Sequence, residues 1–282
     1  MTHPSTAFSS KVDVPATQGL QPTVFWRISD TIPRSLNWSL MVASIVTPFL
    51  AWWIIASVAG INPAFLPSPA NVIEAFVRLW ERGFIIKDTV ASFSRVMGGF
   101  IIAAVISTPI GILMGTFPSF MALFEPIIGI FRYMPAPAFT PLLIIYLGLD
   151  EAPKIALVVL GVVFYNILMI MDAVKFVPRE LIEATYTLGG RRPQILMQVI
   201  TPYVVPNIID TFRINMAAAW NMVIVAELIA AELGLGKRIQ IAQKFFNTDE
   251  IFACLIVLGI IGVSLDLLFR WVLRWSCKWA ID

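Results

Sequence analysis

The sequence predicts an all-α integral membrane protein with about six transmembrane helices. Three observations carry that prediction: an apolar composition, long runs without charge, and prolines placed inside one of those runs. Of the 282 residues 58% are hydrophobic and 13% charged, with a mean hydropathy of +0.82. Soluble domains hold about a quarter charged residues. The stretches 40–73, 96–124, 133–149 and 155–171 contain no Asp, Glu, Lys or Arg, each long enough or nearly long enough for a helix of about 20 residues to cross a bilayer.

Taken in order, residues 1–37 form a cytoplasmic N-terminal tail. Its first part, to about Gln21, is rich in Ser, Thr, Pro and Gln and buries too little apolar surface to offset ordering entropy, so it is expected to be disordered. The transmembrane domain is 38–282, with spans at about 38–59, 96–116, 121–147, 154–173, 207–231 and 251–273. The first long apolar run starts too late for a signal peptide and is read as a retained helix. Between the first two spans, Val72, Ile73, Phe76, Val77 and Trp80 repeat at helical spacing opposite Glu74, Arg78 and Glu81. This predicts a short amphipathic helix lying at the interface. The third span holds Pro135, Pro137 and Pro141; each removes a donor and clashes with a preceding carbonyl, so a break is expected there. Gly111 and Gly115 form a Gly-xxx-Gly pair suited to close packing within the chain.

Several function classes drop out. The formal charge of +2 is small and no basic cluster stands beside stacking aromatics, so a nucleic-acid partner has no support. Cys254 and Cys277 lack metal or redox spacing, and the single histidine, His3, lies in the tail. No nucleophile–base pair and no metal site is therefore predicted, and catalytic residues are expected to be absent. The segment 231–238, AELGLGKR, lacks the first glycine and the Lys-Ser/Thr end of a phosphate loop; it reads as a helix C-cap and loop at the outer surface. Basic residues favour both termini inside, chiefly Lys175, Arg179, Arg191 and Arg192 in one loop and Arg270, Arg274 and Lys278 near the C-terminus.

The loop at about 175–206 is the longest polar insertion after the first span. Pro178 opens a helix, Gly189 and Gly190 end it, and Pro193 starts another. Glu183, Ala184, Gly189, Val199 and Pro202 follow the spacing Glu, Ala, Ala, three residues, Gly, nine residues, an aliphatic residue, one residue, Leu, Pro. Thr185 and Thr201 replace the third and the Leu positions. With LPSPANVIEAF (66–76), SRVMGGFIIAAVISTPIGILMG (94–115), RYMPAPAFTPLLIIYLGLDEAPK (132–154) and AELIAAELGLG (226–236), the chain resembles permease subunits of binding-protein-dependent ATP-binding cassette importers of the nitrate, sulfonate and taurine class.

That resemblance implies a type I importer permease fold with a cytoplasmic coupling helix, in which Glu183, Ala184, Thr185, Gly189 and Pro202 belong to the loop seated on an ATPase. It implies two permeases, most simply a homodimer, two ATPase subunits that bind ATP and Mg, and an external substrate-binding protein, in a bacterial inner membrane. No cofactor is expected on this chain. The implied substrate is a small oxyanion such as nitrate, a sulfonate, taurine or bicarbonate, with a neutral or cationic heterocycle as the alternative; an ATP-independent secondary transporter fits less well.

Ionisable residues inside spans are functional candidates because their burial in lipid is costly. In the fifth span Arg213, Ala217, Trp220, Ile224 and Glu227 fall on one stripe with Asn221 beside it. Arg213 and Glu227 stand about 21 Å apart along a helix, so each needs its own partner. Candidate pathway groups are Arg213, Asn215, Trp220 and Asn221, together with Arg132, Tyr133, Met134 and Phe139 at the proline break. Glu227 is read as a structural or gating contact, and Asp266 with Arg270 as an i,i+4 ion pair.

Overall fold

A computed structural model describes residues 32–58 and 62–280. The reading of residues 1–31 as a tail lies outside the described residues. The chain divides into two units, 1–52 and 53–282. Helix α1, Arg34–Val58, accounts for the described part of the first unit and runs into the second. None of its residues is buried, and large apolar side chains emerge on every side, as a lipid-facing helix requires.

The second unit is helical throughout its described residues. Ser68 caps α2, Pro69–Glu81, by accepting from the Asn71 amide at 3.3 Å, and Pro69 takes the first-turn position that needs no donor. The buried stripe is Val72, Ala75 and Leu79, whereas Ile73, Val77 and Trp80 stay exposed. The predicted apolar face is thus rotated: α2 packs on the bundle with its small residue Ala75 and leaves a second apolar face outward.

Helix α3, Phe84–Thr116, and α6, Glu151–Lys175, form the most extensive helix pair. They approach so closely because α3 carries Gly99, Ala103, Ser107, Gly111 and Gly115 at four-residue spacing, on one face. A methyl group at Gly111 would stand 2.9 Å from the Ile167 carbonyl oxygen, and one at Gly115 would stand 2.7 Å from that of Met171. The side chains of Ile170 and Val174 fill the notches.

The third span is broken. Helix α4, Pro118–Tyr133, ends where Pro135 and Pro137 withdraw donors; a 3-10 turn, Ala136–Phe139, follows, and α5 is Thr140–Leu147. The two halves meet at 86°. Helix α7, Arg179–Thr187, ends in a Schellman motif: Gly190 N–H donates to the Thr185 carbonyl and Gly189 N–H to that of Tyr186, both at 2.9 Å, with Gly189 at φ +85°. Helix α8, Arg192–Gln194, continues through a π-helical turn, Ile195–Ile200, into α9, Thr201–Ala230. Pro202 and Pro206 in the first turns of α9 cannot donate to carbonyls one turn back, and the wider π turn sits just before them.

After α9 the chain reverses at Gly234, φ +132°, and enters α10, Leu235–Lys244. The sequence reading placed 231–238 at the surface, but Ala231, Gly234, Leu235 and Gly236 are buried. The Gly234 and Gly236 amides donate to the Asp88 and Glu227 carboxylates and the Leu235 amide to the Ser92 hydroxyl, which draws the turn inward. Helix α11, Thr248–Ser276, closes the bundle. Among the described residues five helices are long and apolar enough to cross a membrane, or six with the bent pair counted as one span.

Candidate functional site: a broken span between two bundle ends

At one end, α7 covers the termini of α3 and α6. Ile182 packs onto a core of Ile112, Ile170, Val174, Val177, Ile195, Ile200, Val204 and Ile208. Glu183, Ala184 and Leu188 point away from that core and are exposed, Leu188 by 88%. The Glu183 carboxylate has no hydrogen-bond or ion-pair partner among the described residues, while its carbonyl accepts from Thr187 Oγ1 at 2.9 Å. Thr185 donates to the Leu181 carbonyl at 2.7 Å, which ties its hydroxyl to its own helix. Gly189 reverses the chain, and Pro202 lies exposed at the start of α9. The surface offered is a short helix with a small residue and a free carboxylate.

Midway along α6 lies the break of the third span. Phe131, Arg132, Tyr133, Met134, Leu160 and Met222 are among the residues around a cavity of about 480 Å³. The Arg132 guanidinium rests 4.6 Å from the Tyr133 ring centre and donates to its hydroxyl at 2.8 Å. The Arg132 carbonyl, freed by the break, accepts from Tyr165 Oη at 3.2 Å. No carboxylate among the described residues pairs with Arg132. Phe139 lies tilted against Phe131, centroids 6.5 Å apart, at the rim of the same bend.

The other pathway candidates do not join this cavity as a group. Arg213 is held between Asp210 at 2.8 Å and Asp266 at 2.9 Å, and Asp266 also accepts from Arg270 at 2.7 Å. With Ala217 and Trp220 it lines a separate cavity of about 290 Å³ against α11. Asn215 faces α6 instead and donates to Asn166 Oδ1 at 2.7 Å. Asn221 is exposed, one residue from Met222 of the Arg132 cavity. The stripe read from helical spacing therefore divides: Arg213, Ala217 and Trp220 share one cavity against α11, whereas Glu227 turns to α3 and α10, because α9 is central and packs on α3, α6, α10 and α11.

At the opposite end Glu227 is fully buried and accepts from three groups. Ser92 Oγ stands 2.8 and 2.9 Å from its two oxygens, Arg95 Nη1 donates at 2.7 Å and the Gly236 amide at 2.8 Å. Arg95 also donates to the Leu233 carbonyl at 2.7 Å and grips Glu151 through Nε and Nη2. Asp88 accepts from the Gly234 amide at 3.0 Å and from Arg238 Nε at 2.8 Å, while Arg238 covers the Phe84 ring at 3.9 Å. Each buried charge is thus paired and hydrogen-bonded, the condition for retaining it in an apolar medium. Gly234 is glycine for two reasons: its φ, and the Glu227 carboxyl group that occupies the place of a Cβ. The sequence reading named Glu227 but neither Asp88, Ser92 nor Arg95. Their spacing of four and then three residues sets them on one face of α3, a visible signal.

The chain matches the family described as binding-protein-dependent transport system inner membrane component over residues 107–279. It is 36% identical over 246 residues to a probable ABC transporter permease protein of Brucella melitensis, covering 87% of this chain and 99% of that one. It is 33% identical over 252 residues to the taurine transport system permease protein TauC of Escherichia coli, covering 88% and 92%. Among solved structures, the fold matches a chain of the inward-facing MetNI methionine ABC transporter with a TM-score of 0.60 and 18% identity, over 72% of this chain and 96% of that one. The broken span, the exposed short helix and these matches together make the chain a multi-pass membrane permease that belongs to the binding-protein-dependent transport system inner membrane component family.

Proposed function

We propose that the chain forms the translocation pathway of an ATP-driven importer for a small oxyanion, with a sulfonate such as taurine the first substrate to test. The observation that carries the oxyanion reading is Arg132: a guanidinium at mid-bundle, beside a broken helix and a cavity, with no carboxylate partner among the described residues. Arg132 is exposed on the described chain, and a cation on a membrane-spanning segment needs an anion or water beside it. The 33% identity to a taurine permease supports the same substrate class. Arg213, neutralised by Asp210 and Asp266, contributes less than its sequence position suggested.

In this reading α7 is the coupling helix. Glu183, Ala184 and Thr185 present it to a groove on the ATPase, Gly189 fixes its exit, and Pro202 sets the turn from which α9 rises into the membrane. ATP and Mg are bound by two ATPase subunits. A second copy of this chain completes the pathway, an external binding protein delivers the substrate, and both termini lie in the cytoplasm of a bacterium whose inner membrane holds the complex.

The test is reconstitution of the permease with its ATPase in liposomes, with loaded binding protein added outside. Taurine uptake and stimulated ATP hydrolysis are expected for the wild type. Glu183→Ala or Gly189→Pro should abolish stimulation, the latter because proline cannot adopt φ +85°. Arg132→Gln should lower uptake about tenfold or more, on the order of 1.4 kcal/mol in the barrier, with the complex still assembled. Uptake unchanged by Arg132→Gln removes the oxyanion pathway, and lack of any ATPase association removes the importer.

A further inference from the structure

Beneath α7, where it meets the ends of α3 and α6, lies a cavity of about 300 Å³. That volume is at the lower end of the range for small-molecule sites. Its wall has two characters. Val174, Phe117 and Ile195 give it apolar lining, and Tyr186, Arg192 and Thr116 supply polar groups. Thr116 Oγ1 is buried and has no hydrogen-bond partner, an arrangement that costs free energy unless something fills it. Neither the Tyr186 hydroxyl nor the Arg192 guanidinium bonds to any other described residue, and no described carboxylate lies within ion-pair distance of Arg192.

We propose that this cavity is a binding site for an oxyanion on a short apolar stem, with the phosphate or sulfonate oxygens on Arg192, Tyr186 and Thr116 and the stem against Val174 and Ile195. The planar guanidinium fork suits two oxygens of a tetrahedral anion. Hydroxyl donors satisfy the third. Two sources offer that chemistry: the phosphate of a membrane phospholipid, and a free sulfonate or phosphate in solution. The site is distinct from the Arg132 cavity, which opens at mid-bundle between α4, α6 and Met222. Only its description as a site under the coupling helix rests on the proposed function.

The test uses the full-length permease alone. In phosphatidylcholine nanodiscs, titration calorimetry with butane-1-sulfonate and with inorganic phosphate reads the free-anion source. Native mass spectrometry of protein released from phosphatidylglycerol-containing membranes reads the lipid source. All measurements use Arg132→Gln as the background, so that the pathway arginine contributes no binding; in at least one arm this protein is expected to bind, added Arg192→Gln to weaken binding about tenfold or more, and added Thr116→Val to weaken it less. Calorimetric binding with no retained phosphatidylglycerol assigns the site to a free oxyanion; the reverse assigns it to a lipid phosphate. Binding that ignores Arg192→Gln in that background, or is missing from every arm, overturns the proposal. Arg192 is exposed, so the folded state should survive its change; equal helical content by circular dichroism checks this. Failure of the permease to associate with an ATPase would sink the importer reading and leave these binding measurements intact.

Discussion

At the residue scale, the sharpest prediction concerns Glu227. Removing its carboxylate leaves Arg95, itself 5% exposed, without one of its two counter-charges in the protein interior. Uncompensated buried charges cost about 3–5 kcal/mol, and Arg95 keeps only its partly exposed partner Glu151. Glu227→Ala should therefore lower stability by about 3 kcal/mol, and Glu227→Gln by less, since an amide still accepts from Ser92. Thermal unfolding in detergent reads both, and equal melting for wild type and Glu227→Ala would refute the hub. Phe246 gives a prediction of the opposite sign. It occupies the left-handed C′ position after α10, φ 57°, in a turn where Phe246 N–H donates to Gln243 and Asn247 N–H to Ala242. Its ring is 72% exposed, so little packing offsets a backbone strain of about 1–2 kcal/mol. Phe246→Gly should raise the unfolding temperature, and a fall would show that the ring contributes more than the strain removes.

At the scale of elements, the packing of α3 on α6 separates glycines that matter from those that do not. Gly111→Ala places a methyl against the Ile167 carbonyl and Ile170 Cβ, the latter at 2.8 Å; overpacking of this kind costs about 1–3 kcal/mol. Gly262→Ala on α11 meets nothing within 4 Å and should be neutral or gain up to about 1 kcal/mol of helix propensity. Equal melting shifts for the two variants would refute the close approach of α3 and α6. The elements also show what was legible in advance. The broken third span was readable because proline acts locally, on its own donor and on the carbonyl one turn back. The glycine stop of α7 was readable for the same reason. The face buried by α2 was not, since two apolar stripes run along it and only the neighbours α3 and α11 decide between them. The Asp88–Ser92–Arg95 face stayed hidden because attention to charge-free runs begins the second span at Val96, whereas the helix starts at Phe84. Its partners lie far away in sequence, and single-chain periodicity carries no information about pairing. Arg213, Trp220 and Asn215 stand out by residue type alone, but a helix with neighbours on all sides distributes its polar groups among them.

At the scale of the whole molecule, charged and polar groups gather at both ends of the long helices, and the ends differ in kind. One end is a closed network in which Asp88, Arg95, Glu151, Glu227 and Arg238 satisfy one another. The other exposes Glu183 and Leu188 on a helix that makes few commitments of its own. Opposite sidedness follows if both termini are cytoplasmic. A cysteine placed at Leu188 should react with a membrane-impermeant maleimide in inside-out vesicles only, and one at Phe245, 71% exposed beyond α10, in right-side-out vesicles only. The native Cys254 and Cys277 are buried and should stay silent. Labelling of both positions from one side would refute this topology.

The small-residue face of α3 has a mechanical meaning as well. Carbonyl oxygens of α6 sit in the notches left by Gly99, Gly111 and Gly115, against Ile155, Ile167 and Met171 in turn, so the two helices can neither slide by a residue nor roll without collision. The pair behaves as one stiff rod. Whatever yields during a transport cycle must therefore lie off the rod, and the 86° bend around Pro135 and Pro137 is where the chain has given up the hydrogen bonds that would resist it.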